Sequence, residues 1–346
     1  SALGRMTHNL TNLVGVIGSL TYTYKNSYIV NGNMRIDASN KFGDASNERL
    51  LPIWSISGRW NLHENVLQNC GWINLLALKM SFGYQGNMSA QDSPRLVIQK
   101  KGTNTFFNEY YSLIDKYPNP NLRWEKTSTY NVDLEFAMFR NKLRGSFGYY
   151  YRYTKDAFLE KKVSMVNGVE NYTVNAGNIR NQGFEFTFNF TPINTMLNQA
   201  AVSGRKRGFV WRLDPNFGSV FNQLIDKVKP RNKPLQDEIK YTDYLTGKVY
   251  LAGRPVNTFY SYKFKGLNPE NGSPMFYNTD RYVMEGDQEV DMGEVYNNMD
   301  KEEVFRTVMT RSGCREPFLQ GGISNYFGWR NLGLSINLAY SIGAKI

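Results

Sequence analysis

The 346-residue sequence contains no run near the ~18 uncharged apolar residues that a membrane-crossing helix requires, and its mean hydropathy is −0.50. This excludes a helical membrane protein. Its two cysteines, Cys70 and Cys314, are too few for a disulfide scaffold or a zinc site built on thiolates. Two histidines, His8 and His63, leave little material for His-based metal or triad chemistry. A nucleophile needs a positioned base, and no catalytic residue, metal ligand or cofactor is expected. The opening residues show no signal-peptide pattern, and the first residue is not Met. Ser1-Ala2-Leu3-Gly4 reads as mid-protein sequence, so a fragment or mature piece is the expectation.

Aromatic residues are abundant, at 14% with 23 Tyr and 21 Phe, and 30 Gly accompany them. That composition suits β-structure with many turns and does not suit a helical bundle. The net charge is +11. Such a balance is compatible with nucleic acid, an anionic membrane surface or an acidic ligand. The densest basic groups, Arg205-Lys206-Arg207 and the 227–233 stretch, lie in no recognisable nucleic-acid motif, so no nucleic-acid partner is expected.

Hydrophobicity has period two. Leu332, Leu334, Ile336, Leu338, Tyr340 and Ile342 alternate with Gly333, Ser335, Asn337, Ala339 and Ser341. A helix would spread these residues around its circumference, whereas a strand sorts them onto two faces. The same pattern runs through 28–37, 76–85, 130–138, 146–153 and 184–190. Each stretch is about 9–11 residues or slightly more, the length of a tilted strand that crosses a bilayer. Soluble strands are usually about 5–6 residues. Aromatics gather at the expected strand ends: Tyr22 and Tyr24, Trp54 and Trp60, Tyr149 to Tyr153, and Trp329. These features favour a transmembrane barrel over a soluble sheet.

Connections alternate between tight turns, at 24–27, 139–142 and 328–331, and long polar stretches at 38–50, 87–126, 157–180, 220–256 and 281–318. Outer-membrane barrels have short periplasmic turns and long external loops. The spacing predicts about twelve antiparallel strands, at 14–24, 28–37, 52–60, 75–85, 127–138, 143–154, 183–190, 209–220, 321–327 and 331–342, with weaker ones at 258–265 and 274–277. Cys70 then falls on the periplasmic side and Cys314 outside, so no disulfide between them is expected.

Several segments resemble one family. Asn119-Pro120-Asn121-Leu122-Arg123-Trp124-Glu125-Lys126-Thr127 is similar to a segment that precedes a barrel strand in the SusC/RagA family of TonB-dependent outer-membrane transporters of Bacteroidetes. Arg35 to Gly43, Leu78 to Asn87, Asn175 to Glu185 and Gly321 to Phe327 resemble further family motifs in the family's order. The resemblance implies an all-β fold, a transmembrane antiparallel barrel of 22 strands around a plug. Residues 1–346 would supply about half of those strands, with plug and N-terminal domains outside this chain. It also implies the cell outer membrane and TonB-dependent import of oligosaccharides or oligopeptides. Its partners would be a SusD-like surface lipoprotein as lid, TonB–ExbB–ExbD acting through the plug, and outer-membrane lipid with lipopolysaccharide. A passive porin or a surface adhesin is the alternative.

Within that reading, loop aromatics with polar neighbours are the substrate-binding candidates: Phe106, Phe107, Tyr110, Tyr111 and Trp124. Aromatic faces stack on sugar rings while a few placed polar groups set orientation. Packing within the loop is the competing role, above all for Trp124, which belongs to a recurring motif. Asn131, Asp133 and Glu135 are expected on the lumen face, against plug or substrate. Arg35, Arg59, Lys79, Arg144 and Arg152 fall on the same face. The acidic stretch Glu285, Asp287, Glu289, Asp291 and Glu294 lacks EF-hand spacing and reads as a solvated loop.

Overall fold

A computed structural model describes residues 13–39, 50–87, 96–104, 106–116, 123–162, 171–195, 208–227, 239–247, 249–286 and 288–345. His8, Asp287 and residues 40–43, 119–122, 205–207 and 228–233, singled out above, lie outside the described residues. Two compact units divide the chain, Ser1–Ile179 and Arg180–Ile346.

The first unit is an antiparallel wall. Its strands are β1 (Leu13–Tyr24), β2 (Tyr28–Ser39), β3 (Leu50–Asn61), β4 (Ile73–Asn87), β7 (Glu125–Met138) and β8 (Leu143–Lys162), each paired with the next in that order. A short helix, α1 (Leu62–Asn65), sits between β3 and β4. The hairpin of β5 (Val97–Thr103) and β6 (Tyr110–Lys116) stands apart from the wall, between β4 and β7 in sequence. Strand β9 (Asn171–Asn194) begins in this unit and ends in the second.

In the second unit β10 (Phe209–Lys227) pairs with β17 (Leu319–Trp329), and β17 with β18 (Leu332–Ile342). The described residues between β10 and β17 form three small ribbons. They pair β11 (Thr258–Tyr262) with β16 (Met309–Cys314), β12 (Phe264–Leu267) with β13 (Pro274–Phe276), and β14 (Tyr282–Glu285) with β15 (Gln288–Asp291). Helices α2 (Tyr241–Thr246), α3 (Met292–Asn298) and α4 (Lys301–Val308) complete this insertion.

The tight turns fall where expected. Lys25 and Asn26 have φ of 47° and 52°, and Ser27 N donates to Tyr24 O at 3.1 Å. Two positive φ values give the turn whose twist matches the flanking strands. The β7–β8 turn likewise holds Phe139, Arg140 and Asn141 at positive φ.

Three expectations need correction. Among the described residues ten long strands replace the expected twelve, because 258–265 and 274–277 pair within the insertion. The described residues of stretch 157–180 are strand, since β8 runs to Lys162 and β9 starts at Asn171, and β10 runs to Lys227. Tyr149 to Tyr153 therefore lie in the middle of β8 and not at its end.

Candidate functional site

The wall of the first unit sorts its residues by face. One row runs Val30, Gly58, Met80, Val132, Tyr149 across five strands, and the next runs Tyr28, Trp60, Leu78, Leu134, Phe147. Val16, Leu20, Ile56 and Met80 are exposed on this face. In the second unit β18 does the same, with Leu338 60% exposed. Contiguous exposed apolar surface of this extent belongs against lipid and not against water. Aromatic pairs mark the tight-turn end: Tyr28 stacks on Trp60 with centroids 6.1 Å apart, and Trp72 on Phe139 at 5.7 Å.

The opposite face is polar. Its rows run Asn33, Ser55, Gly83, Thr129, Arg152, then Asn31, Ser57, Ser81, Asn131, Tyr150, and then Arg59, Lys79, Asp133, Gly148. Hydrogen bonds tie neighbours together: Asn131 Nδ2 donates to Ser81 Oγ at 2.9 Å, and the hydroxyls of Thr127 and Thr154 meet at 2.9 Å. Glu135 accepts from Arg59 Nη1 at 2.9 Å and also from Lys79 Nζ. Asp133 lies opposite Lys79 in register. Asn131, Asp133 and Glu135 thus share the polar face with all five expected cations, Arg35, Arg59, Lys79, Arg144 and Arg152. Arg35 is paired there with Asp37, whose Oδ1 lies 2.7 Å from its Nε.

The motif residues gather at the long-loop end of this wall. Trp124 is only 5% exposed and packs against Ile53 and Tyr84. Glu125 accepts from Asn87 Nδ2 at 2.9 Å and from Phe158 N at 2.7 Å. Asn175 Oδ1 accepts from Arg123 N at 2.9 Å, while its Nδ2 donates to Arg123 O at 3.0 Å and Asp156 O at 2.8 Å. Three sequence-distant motifs therefore fasten one another. Glu125 and Asn175 were visible only as members of motifs, and nothing in their spacing announced the partners.

The predicted loop aromatics separate into two groups. Phe106, 93% exposed, and Phe107, 76% exposed, occupy the tip of the β5–β6 hairpin. Tyr110 and Tyr111 follow on β6, with Lys100 Nζ 4.0 Å from the Tyr110 ring centroid. These four lie together on one hairpin. Trp124 is buried at the base and is not brought to them.

The insertion of the second unit has its own small core. Ile239, Tyr244 and Val249 are buried, with Leu251, Tyr260, Phe305 and Met309 against them. Asn222 and Gln223 of β10 tie it down: Val256 N donates to Asn222 Oδ1 at 2.8 Å, and Gln223 Nε2 donates to Gly253 O at 3.0 Å. Cys314 Sγ donates to Glu316 Oε2 at 2.8 Å, and Asn257 Nδ2 donates to the same carboxylate. Burial raises the Cys314 thiol above its ordinary value, and the hydrogen bond to Glu316 adds to this. Burial would raise Glu316 as well, but hydrogen bonds from Cys314 and Asn257 outweigh it and hold the carboxyl low. Of the acidic stretch, Asp291 accepts from Gly293 N at 2.8 Å at the start of α3 and from Arg281 Nε at 3.3 Å. Among the described residues, no group of three metal-ligating side chains is gathered.

Residues 5–311 match a family described as TonB dependent receptor-like, beta-barrel. TonB-dependent receptor P3 of Formosa agariphila is 25% identical over 98% of this chain and 32% of its own length. TonB-dependent receptor SusC of Bacteroides thetaiotaomicron is 27% identical over 76% of this chain and 26% of its own length. A solved structure of the RagAB peptide transporter superposes with a TM-score of 0.74 at 21% identity, over 96% of this chain and 34% of that one. The chain thus spans about a third or less of these relatives. A match over most of the sequence, joined to a strand wall with one apolar and one polar face, gives the family: this chain belongs to the TonB-dependent receptor β-barrels of the outer membrane.

Proposed function

We propose that the chain is part of the barrel of an outer-membrane importer that takes up oligosaccharides or oligopeptides by TonB-dependent active transport. The observation that carries this is the division of one wall into a lipid-suited face and a hydrogen-bonding, charged face. Such a wall lines a lumen in a membrane barrel. The rest of the polypeptide would supply further strands and the plug. TonB–ExbB–ExbD would do work through that plug, and a SusD-like lipoprotein would cover the external mouth. Lipopolysaccharide would meet the outward loops. A relative named as a TonB-dependent receptor, SusC, and a fold shared with the RagAB peptide transporter support the importer reading. The members of this family are receptors and transporters, not enzymes. Phe106, Phe107, Tyr110 and Tyr111 are the loop residues proposed to touch cargo, with Asn131, Asp133 and Glu135 facing plug or cargo. Trp124 is assigned to loop anchorage instead.

The test uses the full-length gene product. A deletion strain should lose growth on an oligosaccharide or an oligopeptide as sole source, and the wild-type gene should restore it. Restored uptake that persists without TonB would replace this reading with a passive porin. Uptake of neither cargo class would favour an adhesin.

A further inference from the structure

Two acidic residues of the first unit's polar face are held by cations, and a third has a lysine opposite it in register. Asp37 is held by Arg35 at 2.7 Å, Glu135 by Arg59 at 2.9 Å and by Lys79, and Asp133 faces Lys79. Arg152 on the same face has no hydrogen bond or ion pair with any described residue. It lines a hollow together with Asn33, Ser55, Ser81, Thr129 and Asn131. Thr129, directly opposite Arg152 in register, has a buried Oγ1 with no hydrogen-bond partner among the described residues. Gly83, next in that row, puts no side chain over the floor.

From this we infer that Arg152 and Thr129 form a carboxylate-binding station on the lumen wall. A guanidinium offers two parallel donors matched to a carboxylate. The Thr129 hydroxyl supplies a third donor, and neutral donors such as Asn131 and Ser81 can bond the amides or hydroxyls around that carboxylate. A buried hydroxyl without a partner costs stability until something satisfies it. The station rests on the reading of this face as lumen. The carboxylate has two possible sources, an acidic side chain of the plug or an acidic cargo, and the experiment separates them.

The full-length protein is compared with Arg152→Gln and with Thr129→Asp, which places a permanent carboxylate beside an unaltered Arg152. Two readouts are taken. One is binding of a hexaglutamate peptide and of trigalacturonate against hexaglutamine and maltotriose. The other is ion leak through planar bilayers, which reports plug seating. Loss of acidic-probe binding in both variants, by roughly 10–100-fold, with neutral probes unchanged, supports the station with cargo as its source. A raised leak in both variants, with probe binding unchanged, supports it with the plug as source. Binding and leak both unaltered in either variant overturn it. If deletion of the plug region opens no ion path through the wild-type protein, the lumen reading fails and the station with it.

Discussion

Asn175 holds both backbone polar groups of Arg123, accepting from its N–H at 2.9 Å and donating to its carbonyl at 3.0 Å. A side-chain amide here does what a neighbouring strand would do. It fixes the point at which the chain returns from the β5–β6 hairpin to β7.

Asn175→Ala removes this clamp and the bond to Asp156 O. The expected loss is about 1–3 kcal/mol, because water replaces part of it at the exposed Arg123. Asn175→Asp should be worse, since it sets a negative charge against two carbonyls. Limited proteolysis within 88–123 of the folded protein measures both, with faster cleavage in the order wild type, Ala, Asp.

Trp124 and the hairpin tip should behave oppositely. Trp124→Ala opens a cavity against Ile53 and Tyr84 and should cost about 3–5 kcal/mol. Phe106→Ala and Phe107→Ala touch little and should change stability by under about 0.5 kcal/mol. Thermal unfolding in detergent checks the contrast. If the tip contacts cargo, its variants lose binding while their unfolding curve stays in place.

Glu135 is the shared anion of Arg59 and Lys79. Glu135→Gln removes the carboxylate that Arg59 and Lys79 share and leaves only Asp133, opposite Lys79, to offset two facing cations, and a loss of about 1–3 kcal/mol is expected. Adding Arg59→Gln should recover part of that loss, because the repulsion goes with it. A double-mutant cycle on the unfolding free energy reads the coupling, and strict additivity would refute it.

The Cys314–Glu316 pair gives a pH window. The folded-state value of Glu316 lies below the ordinary 4.5, so its stabilisation is present above 4.5 and is lost as pH falls through the lowered value. That of Cys314 lies above the ordinary 9.0, so its stabilisation is present below 9.0 and is lost as pH rises through the raised value. In a Cys70→Ser background, maleimide labelling of Cys314 should be slow near neutrality. Glu316→Gln should speed it several-fold by lowering the thiol's value.

The wall was legible from the sequence because period two is a direct consequence of the strand, and residues such as Leu332 to Ile342 keep it without interruption. The polar placement of Asn131, Asp133 and Glu135 followed from the same parity. The ends of β8, β9 and β10 were not legible, because polar residues past the apolar band read as loop even where strand pairing continues. The stretches 258–265 and 274–277 alternate like wall strands, and only their partners β16 and β12 reveal ribbons of the insertion. Loop partners escaped for a simpler reason. Asn175 and Arg123 are far apart in sequence, and local patterning carries no information about such a contact. Trp124 reads as structural from its motif, and it is 5% exposed.

Strand β8 has 20 residues, about 66 Å of extended chain, whereas the hydrocarbon layer is about 30 Å thick. Even tilted, much of it must stand clear of the bilayer as a hydrogen-bonded beam. A free loop dissipates a push within a few residues. A stiff beam delivers it as torque at its root, where the apolar band is gripped by lipid. Whatever settles on the rim of this wall therefore acts on a lever, and the fasteners at Asn87, Glu125, Phe158 and Asn175 lie along its arm.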